Sequence, residues 1–119
     1  MKDILLNGSK ELGVPLTDGQ CENLITYASL LKEWNEKMNL TAISDDFGIA
    51  VKHFLDSLTA ISTGRVTGKV IDVGCGAGFP GLVLKIAKPE IELTLLDSLK
   101  KRLTFLEAVT NELNITDVT

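Results

Sequence analysis

The segment that most constrains the fold is a short apolar run, residues 70–73, followed at once by glycines at alternate positions, Gly74, Gly76 and Gly78. The run has the length of a buried strand, and Pro80 then stands where a helix tolerates proline, in its first turn. Only glycine lets a backbone turn so tightly beside a ligand and present its amides to it. The segment therefore predicts a strand, a ligand-binding loop and a helix.

The residues before this unit predict helices only. A first helix over residues 3–12 ends at Gly13, and Thr17 with Gln20 forms a capping-box pattern for a second. Ser44 or Asp45 is suited to cap a third, which runs to residue 61. The second helix carries an apolar stripe that is typical of a core face: Leu24, Tyr27, Leu31, Trp34 and Met38.

After the glycines the chain predicts a second strand, residues 91–96, a second helix, residues 98–113, and the entry to a third strand, residues 115–119. The fold class is therefore α/β, with a helical N-terminal lobe, residues 1–65, and the first half of a Rossmann-like unit, residues 66–119. The predicted buried side of the last helix consists of Leu99, Leu103, Leu106, Val109 and Leu113.

Composition and charge exclude several classes of protein. With 45% hydrophobic and 24% charged residues, the 119-residue chain is typical of a soluble globular protein. Its net charge of -4 gives no overall basic face for nucleic acid, and the only basic run, residues 100–102, is typical of a solvated helix face. No apolar run approaches the roughly 20 residues of a membrane span. Two cysteines without metal-ligand spacing fit a reducing compartment, so we expect a cytoplasmic protein with no metal site.

Two carboxylates strengthen the prediction that the glycine segment binds a ligand. Asp97 ends the second predicted strand, where Rossmann-type sites place an acid that accepts hydrogen bonds from ribose hydroxyls. Asp72 lies inside the first strand, where a buried carboxylate without partners is costly. We expect it to accept a hydrogen bond from backbone amides of the loop or from the amino group of a cofactor.

Two kinds of nucleotide site compete for this segment. Gly76, Gly78 and Gly81 satisfy G-x-G-x-x-G, the pattern of nicotinamide-dinucleotide oxidoreductases. In that pattern the first glycine closes the strand, yet Gly74 holds this position here, and Pro80 stands directly before the last glycine. The spacing favours an S-adenosyl-L-methionine site, and a structural turn in a non-enzymatic partner-binding module is the remaining alternative.

Four segments together resemble one known family. They are NLTAI at residues 39–43, HFLDSL at 53–58, DVGCGAGFPG at 72–81 and LLDSL at 95–99. Their order is similar to that in the RsmG (GidB) family of bacterial 16S rRNA guanine-7 methyltransferases, and the match covers nearly the whole chain. Cys75 stands where this family often has a small polar residue. Family members are about twice as long, which implies that the chain is the N-terminal part of such a protein.

The resemblance implies a class I methyltransferase fold and transfer of a methyl group from S-adenosyl-L-methionine to ring nitrogen 7 of a guanine in the small ribosomal subunit. That nitrogen already carries an exposed lone pair, so the reaction needs alignment more than a base, and no catalytic residue is predicted. The predicted cofactor-binding residues are Asp72 in the strand and, from the resemblance, Gly74, Gly76, Gly78 and Phe79 in the loop, with Asp97 and Ser98 at the ribose.

The resemblance also suggests a substrate side. His53, Asp56 and Ser57 lie three and four residues apart on one helical side, and the family match assigns His53 and Ser57, with Asn39, to a substrate cleft. A polar helix face with local hydrogen bonds explains the same residues without a ligand. Because two strands and a stub leave apolar sheet edges open, we expect an inactive fragment that is able to dimerise through such an edge.

Overall fold

The computed structural model describes residues 2–38, 45, 48–64, 66–116 and 118. Helix α1 spans Lys2–Glu11 and helix α2 spans Asp18–Met38, while helix α3 begins as a π-helical segment, Ile49–Leu55, and continues as the α-helix Asp56–Ser62. Strand β1, Lys69–Val73, helix α4, Gly81–Ala87, strand β2, Glu92–Leu96, and helix α5, Lys100–Glu112, then follow in order. This part of the chain is therefore a mixed α/β structure, as the sequence predicts.

The two strands form a parallel pair. Lys69 lies opposite Glu92 and Val73 lies opposite Leu96, with α4 as the crossover between the strands. Val118 makes an isolated parallel bridge to Leu93, so at that residue the chain pairs as the predicted entry to a third strand would, and the structure adds that its neighbour is β2. Parallel pairing brings the carboxyl ends of β1 and β2 to the same sheet edge, which is the edge where open α/β sheets bind ligands.

Predicted capping residues make hydrogen bonds at the starts of two helices, α2 and α3. The backbone N–H of Thr17 donates to Oε1 of Gln20 at 2.9 Å, and the N–H of Gln20 donates to Oγ1 of Thr17 at 3.1 Å, which completes a capping box. The carboxylate of Asp45 accepts from the N–H of Gly48 at 2.8 Å ahead of α3. Ser44, the other predicted cap, lies outside the described residues.

One hydrophobic core joins the helices to the sheet. The stripe of α2 is buried as predicted at Leu24, Tyr27 and Leu31, and Trp34 packs against it, while the side chain of Met38 lies outside the described part. The remaining fully buried large side chains of this cluster come from α1, α3, α4, β2 and α5 and include Leu5, Ile49, Phe54, Leu58, Leu82, Leu93 and Phe105.

The prediction that Leu99 lies on the buried side of the last helix is wrong. Leu99 is 40% exposed and has an extended backbone, with φ -99° and ψ 111°. Its N–H donates to Oδ1 of Asp97 at 2.9 Å, and α5 begins one residue later, at Lys100. Leu99 therefore precedes the helix, and Phe105 is the fully buried side chain that the stripe omitted.

Two lysines hold the crossover in place. Lys85 of α4 is only 4% exposed, and its Nζ donates to the carbonyl of Pro89 at 2.6 Å and to that of Ile91. Nζ of Lys88 donates to the carbonyl of Val66. These bonds satisfy buried ammonium donors and fix the turn that leads into β2.

Among the described residues, no helix has both the length and the apolar character needed to cross a membrane.

Candidate functional site

The glycine loop, residues 74–80, starts directly at the end of β1. The N–H groups of Gly74 and Cys75 both donate to the carbonyl of Leu96, at 2.7 Å and 3.1 Å, and the N–H of Gly78 donates to the carbonyl of Cys75 at 2.8 Å. The first two bonds tie the loop to the end of β2. The loop is therefore held at the shared carboxyl edge of both strands.

The first two glycines of the loop face open space. Gly74 has φ +71° and Gly76 has φ +55°, so both adopt the left-handed conformation that favours glycine. A Cβ added at either position would meet no heavy atom within 4 Å. Packing against protein does not explain these glycines, and their backbone remains accessible to a ligand.

The third glycine faces the core. Gly78 has φ +99°, and a Cβ there would collide with the hydroxyl of Tyr27 and would lie 2.7 Å from Cδ2 of Leu106. The loop therefore has an open side at Gly74 and Gly76 and a packed side at Gly78.

A cavity of about 430 Å³ opens beside the first glycine. It is lined by Val73, Gly74, Leu96, Asp97, Ser98 and Arg102. The volume lies within the range of small-molecule sites, and apolar walls with a few polar groups are typical of such sites. The structure thus brings three of the predicted cofactor residues together in one cavity, and Gly76 adjoins it through a hydrogen bond to Asp97.

Asp97 connects the loop to the helix that follows β2. Its Oδ2 accepts from the N–H of Gly76 at 2.9 Å and its Oδ1 from that of Leu99 at 2.9 Å, while Nη1 of Arg102 lies 3.4 Å from both oxygens. The side chain is 2% exposed. The amides of Leu99 and Gly76, together with the guanidinium, lower the pKa of Asp97. Asp97 is therefore ionised at neutral pH and orders the loop as well as the cavity wall.

Asp72 acts behind the loop. Its Oδ2 accepts from the N–H of Gly81 at 2.9 Å, so its partner is a backbone amide of the first residue of α4 and not, as predicted, one of the loop. Burial raises the pKa of Asp72, and the bond from Gly81 partly offsets this effect. A Cβ at Gly81 would lie 2.6 Å from the same oxygen, which explains why glycine is needed there.

Phe79 joins the loop to the helices. Its ring stacks on the imidazole of His53, with centroids 4.2 Å apart and planes 7° apart, and on the ring of Tyr27 at 5.6 Å and 22°. Two protein rings therefore stack against it. Of the predicted cofactor residues, Asp72, Gly78 and Phe79 contact other protein groups: Asp72 bonds to Gly81, Gly78 packs against Tyr27 and Leu106, and Phe79 stacks on His53 and Tyr27.

The predicted substrate residues adjoin a second cavity. This cavity, of about 300 Å³, is lined by Lys52, His53, Asp56, Ser57, Ala60, Phe79 and Pro80. The structure thus brings His53 and Ser57 next to Phe79 and Pro80 of the glycine loop, across at least 22 residues of sequence. Asn39, the third predicted substrate residue, lies outside the described residues.

The chemistry of these two side chains is constrained. Oγ of Ser57 donates to the carbonyl of His53 at 2.5 Å, and Ser57 is buried. Burial lowers the pKa of His53, and the negative charge of Asp56 partly opposes that effect. The imidazole is therefore largely neutral at pH 7, and the Ser57 hydroxyl has an internal acceptor.

Neither cysteine has the features of a nucleophile. Both Cys21 and Cys75 are buried and free. Burial raises the pKa of Cys75 to about 11, with the charges of Asp72 and Asp97 as smaller causes. The thiol at the centre of the loop therefore stays protonated and serves as a small packed residue.

Sequence reasoning missed two residues of the site. Arg102 lies five residues after Asp97, and this proximity in sequence is a usable signal, but the pattern of the basic run predicts only a solvated helix face. The structure separates the run, because Lys100 and Lys101 are exposed while Arg102 is half-buried beside Asp97. Tyr27 was correctly predicted to be buried, but helical periodicity carries no information on its partner in the loop.

Comparison with known proteins gives one consistent result. The family model described as rRNA small subunit methyltransferase G (GidB) matches residues 20–119. The chain is 54% identical to the ribosomal RNA small subunit methyltransferase G of Alkaliphilus oremlandii, over 99% of this chain and 50% of that protein. It is 49% identical to the protein of that name from Thermoanaerobacter sp., over 98% and 49% of the two chains.

A third relative agrees with these two. The ribosomal RNA small subunit methyltransferase G of Streptococcus agalactiae serotype Ia is 47% identical over 91% of this chain and 47% of that protein. The chain thus spans about half the length of the curated relatives it matches. The resemblance seen in the four sequence segments is confirmed, and the chain belongs to the GidB family of rRNA small subunit methyltransferase G proteins.

Proposed function

We propose that this chain contributes the strand-and-loop half of an S-adenosyl-L-methionine site to a methyltransferase that modifies ring nitrogen 7 of a guanine in 16S rRNA. The observation that carries the proposal is the open side of the glycine loop. Gly74 and Gly76 have left-handed backbones with free space beside them, and the ionised carboxylate of Asp97 adjoins the same cavity. The names of the relatives supply the substrate class, since each is a ribosomal RNA small subunit methyltransferase.

We also infer that the fold is the first half of a Rossmann-like class I methyltransferase unit, residues 66–119, behind a helical lobe, residues 1–65. The parallel pairing of β1 with β2 across α4 supports this inference, as does the bridge from Val118 to the far side of β2. In such folds the ligand lies at the carboxyl edge of the strands, where the glycine loop begins.

The residues of the cavity suit the parts of this cofactor. When bound, S-adenosyl-L-methionine supplies an activated methyl group. Asp97 and Ser98 would accept and donate hydrogen bonds at the ribose, and the backbone of Gly74 and Gly76 would approach the rest of the molecule closely. The amides of Leu99 and Gly76, with a smaller contribution from Arg102, lower the pKa of Asp97 and so keep it ionised. Asp72, Gly78 and Phe79 would shape the loop from behind.

The second cavity is the proposed entrance for the guanine. Single-stranded RNA bases are recognised by stacking and by hydrogen bonds to their edges, and the His53–Phe79 stack lies in the wall of this cavity. Methyl transfer to ring nitrogen 7 releases no proton from that nitrogen, so a neutral His53 with a lowered pKa fits a role in alignment. We include Asn39 in this proposal on the family resemblance alone.

Calorimetric titration of the intact gene product with S-adenosyl-L-methionine tests the cofactor assignment. We expect saturable binding that Asp97→Ala weakens at least tenfold, because the carboxylate both lines the cavity and holds Gly76. Titration with a nicotinamide dinucleotide is the control for the alternative cofactor, and tighter binding of that molecule would overturn the assignment.

Transfer of a labelled methyl group to small-subunit rRNA tests the reaction. The intact gene product should label one guanine at nitrogen 7. The 119-residue chain by itself should give no turnover, since it spans about half the length of its relatives. Measurable turnover by this chain alone would contradict the inference that it holds only part of the site.

A further inference from the structure

The hydroxyl of Tyr27 bonds directly to the glycine loop. Tyr27 lies in α2, its side chain is fully buried, and its hydroxyl donates to the carbonyl of Ala77, 50 residues later in the chain. Burial raises the pKa of Tyr27 well above its usual value, so the hydroxyl keeps its proton and remains a donor. A buried hydroxyl and a buried carbonyl each need a partner, and here they satisfy one another.

Neighbouring aromatic rings fix the position of this hydroxyl. The ring of Tyr27 lies 5.5 Å from that of Phe54 in α3, 5.6 Å from Phe79 in the loop and 6.3 Å from Phe105 in α5. The three contacts come from different parts of the fold. The oxygen therefore has little freedom to follow the loop, and the loop must instead fit the oxygen.

The loop backbone is shaped to this hydroxyl. At Gly78 the space that a Cβ would fill is taken by the Tyr27 oxygen, and Cδ2 of Leu106 would lie 2.7 Å from that Cβ. On the opposite side of the loop, the N–H of Gly76 donates to Asp97. Two groups from different elements thus hold consecutive parts of the loop, Asp97 from the cavity side at Gly76 and Tyr27 from the core side at Ala77.

We propose that Tyr27 is a positioning residue for the cofactor site, because its hydroxyl holds the Ala77 carbonyl and so keeps the open backbone of Gly74 and Gly76 in the conformation that binds S-adenosyl-L-methionine. This inference rests on the proposed function. Removing the hydroxyl leaves the carbonyl without its donor, and the loop then shares its population with other conformations. Apparent affinity falls in proportion to the fraction that remains competent, so a drop to about one fifth weakens binding about fivefold.

Tyr27→Phe in the intact gene product tests the proposal. The substitution keeps the ring and its aromatic contacts and removes only the donor. Leu31→Val is the matched control, because Leu31 is fully buried one turn later on α2, and its shortening costs core packing while the Tyr27 hydroxyl is kept. We expect Y27F to raise the dissociation constant for S-adenosyl-L-methionine about fivefold, and L31V to leave it unchanged at a temperature where both are folded.

Amide hydrogen exchange provides a readout that needs no ligand. In Y27F the N–H groups of Gly76 and Gly78 should exchange about fivefold faster than in the wild type, while L31V should leave them protected. Unchanged affinity and exchange in Y27F, or equal weakening in L31V, would overturn the positioning role. If the wild type fails to bind S-adenosyl-L-methionine, the proposed function fails, and the exchange rates alone then decide whether Tyr27 holds the loop.

Discussion

At the scale of single residues, the glycines of the loop are required for two different reasons. Gly74 and Gly76 need the left-handed conformation and have free space beside them, whereas Gly78 has both a positive φ and a crowded Cβ position. Sequence alone gives three equivalent glycines at alternate positions. The difference depends on Tyr27 and Leu106, which come from distant parts of the chain.

Alanine substitution should separate these two reasons. Gly76→Ala should lower the free energy of unfolding by about 1–2 kcal/mol, the cost of a left-handed alanine. Gly78→Ala should lower the free energy of unfolding by roughly 1–3 kcal/mol more than that, because its new methyl group is also overpacked against Leu106 and the Tyr27 hydroxyl. Urea denaturation measures both. Equal losses would mean that Gly78 is not packed as described.

Asp97 should make stability depend on pH in the acidic range. Its pKa in the folded protein lies below that of an unfolded aspartate, which is about 4. The ionised form therefore adds stability above about pH 4, and this contribution disappears as the pH falls through the folded-state value. Asp97→Asn should be less stable than the wild type at pH 7, and urea denaturation should show the gap closing below about pH 4.

Asp72→Asn is the matched control, since the pKa of Asp72 is raised by burial. Here the ionised side chain lowers the stability of the folded state, so the wild type should lose stability relative to D72N as the pH rises through the raised pKa. An asparagine oxygen is still able to accept from the N–H of Gly81. If both variants showed the same trend with pH, the opposite directions of the two pKa shifts would be contradicted.

At the scale of elements, local signals predicted most of the fold and few of its contacts. The capping box at Thr17 and Gln20, the strand before Gly74 and the crossover helix all lie within two residues of the predicted positions, because caps, glycine and hydrophobic period act over a few residues. The π-helical start of α3 was not predicted. The backbone N–H of Asp56 donates to the carbonyl of Val51, five residues earlier. The spacing of apolar residues in the sequence carries no signal for such a widened turn.

The candidate site was predictable only in part, for a related reason. Spacing along the chain is enough to bring Asp97 and Ser98 to the same sheet edge as Gly74. Partners across the fold are not encoded in such spacing, which is why the Tyr27 bond to Ala77 and the stacking of His53 on Phe79 appear only in three dimensions. The prediction that Leu99 is buried is wrong for the opposite reason, since a local hydrogen bond from its N–H to Asp97 delays the start of α5.

The capping box gives a prediction at this scale. Thr17→Ala and Gln20→Ala should each lower the free energy of unfolding by about 1 kcal/mol, the usual cost of losing an N-terminal cap. Gln20→Ala should cost slightly more, because Nε2 of Gln20 also donates to the carbonyl of Ala87 at 3.0 Å. Denaturation of both single variants and the double variant measures the coupling. Strict additivity would show that the two bonds do not act together.

At the scale of the whole molecule, one face of the small sheet carries exposed apolar side chains. In the described part of the chain β1 pairs only with β2, and Ile71 and Val73 are 64% and 76% exposed, with Leu96 beside them at 49%. Exposed apolar surface next to an unpaired strand edge favours association with another chain. We therefore propose that this 119-residue chain self-associates through β1 in solution.

Sedimentation velocity over a range of concentrations tests self-association. The wild-type chain should sediment faster as its concentration rises, and the double substitution Ile71→Thr and Val73→Thr should shift it towards monomer without loss of fold, because both side chains are already exposed. The control is the double substitution Thr59→Ser and Thr104→Ser, at exposed threonines on helices. A wild-type chain that stays monomeric throughout would contradict the proposal.

The glycine loop forms a wall of both cavities, with Gly74 in one and Phe79 and Pro80 in the other. Only four residues separate Gly74 from Phe79, and the Phe79 ring stacks on one ring from α2 and one from α3. We expect the two ends of so short a loop, held by these contacts, to change conformation together. We therefore expect a ligand in one cavity to change the affinity of the other cavity for its own ligand, and thermodynamic reciprocity makes that factor the same in both directions.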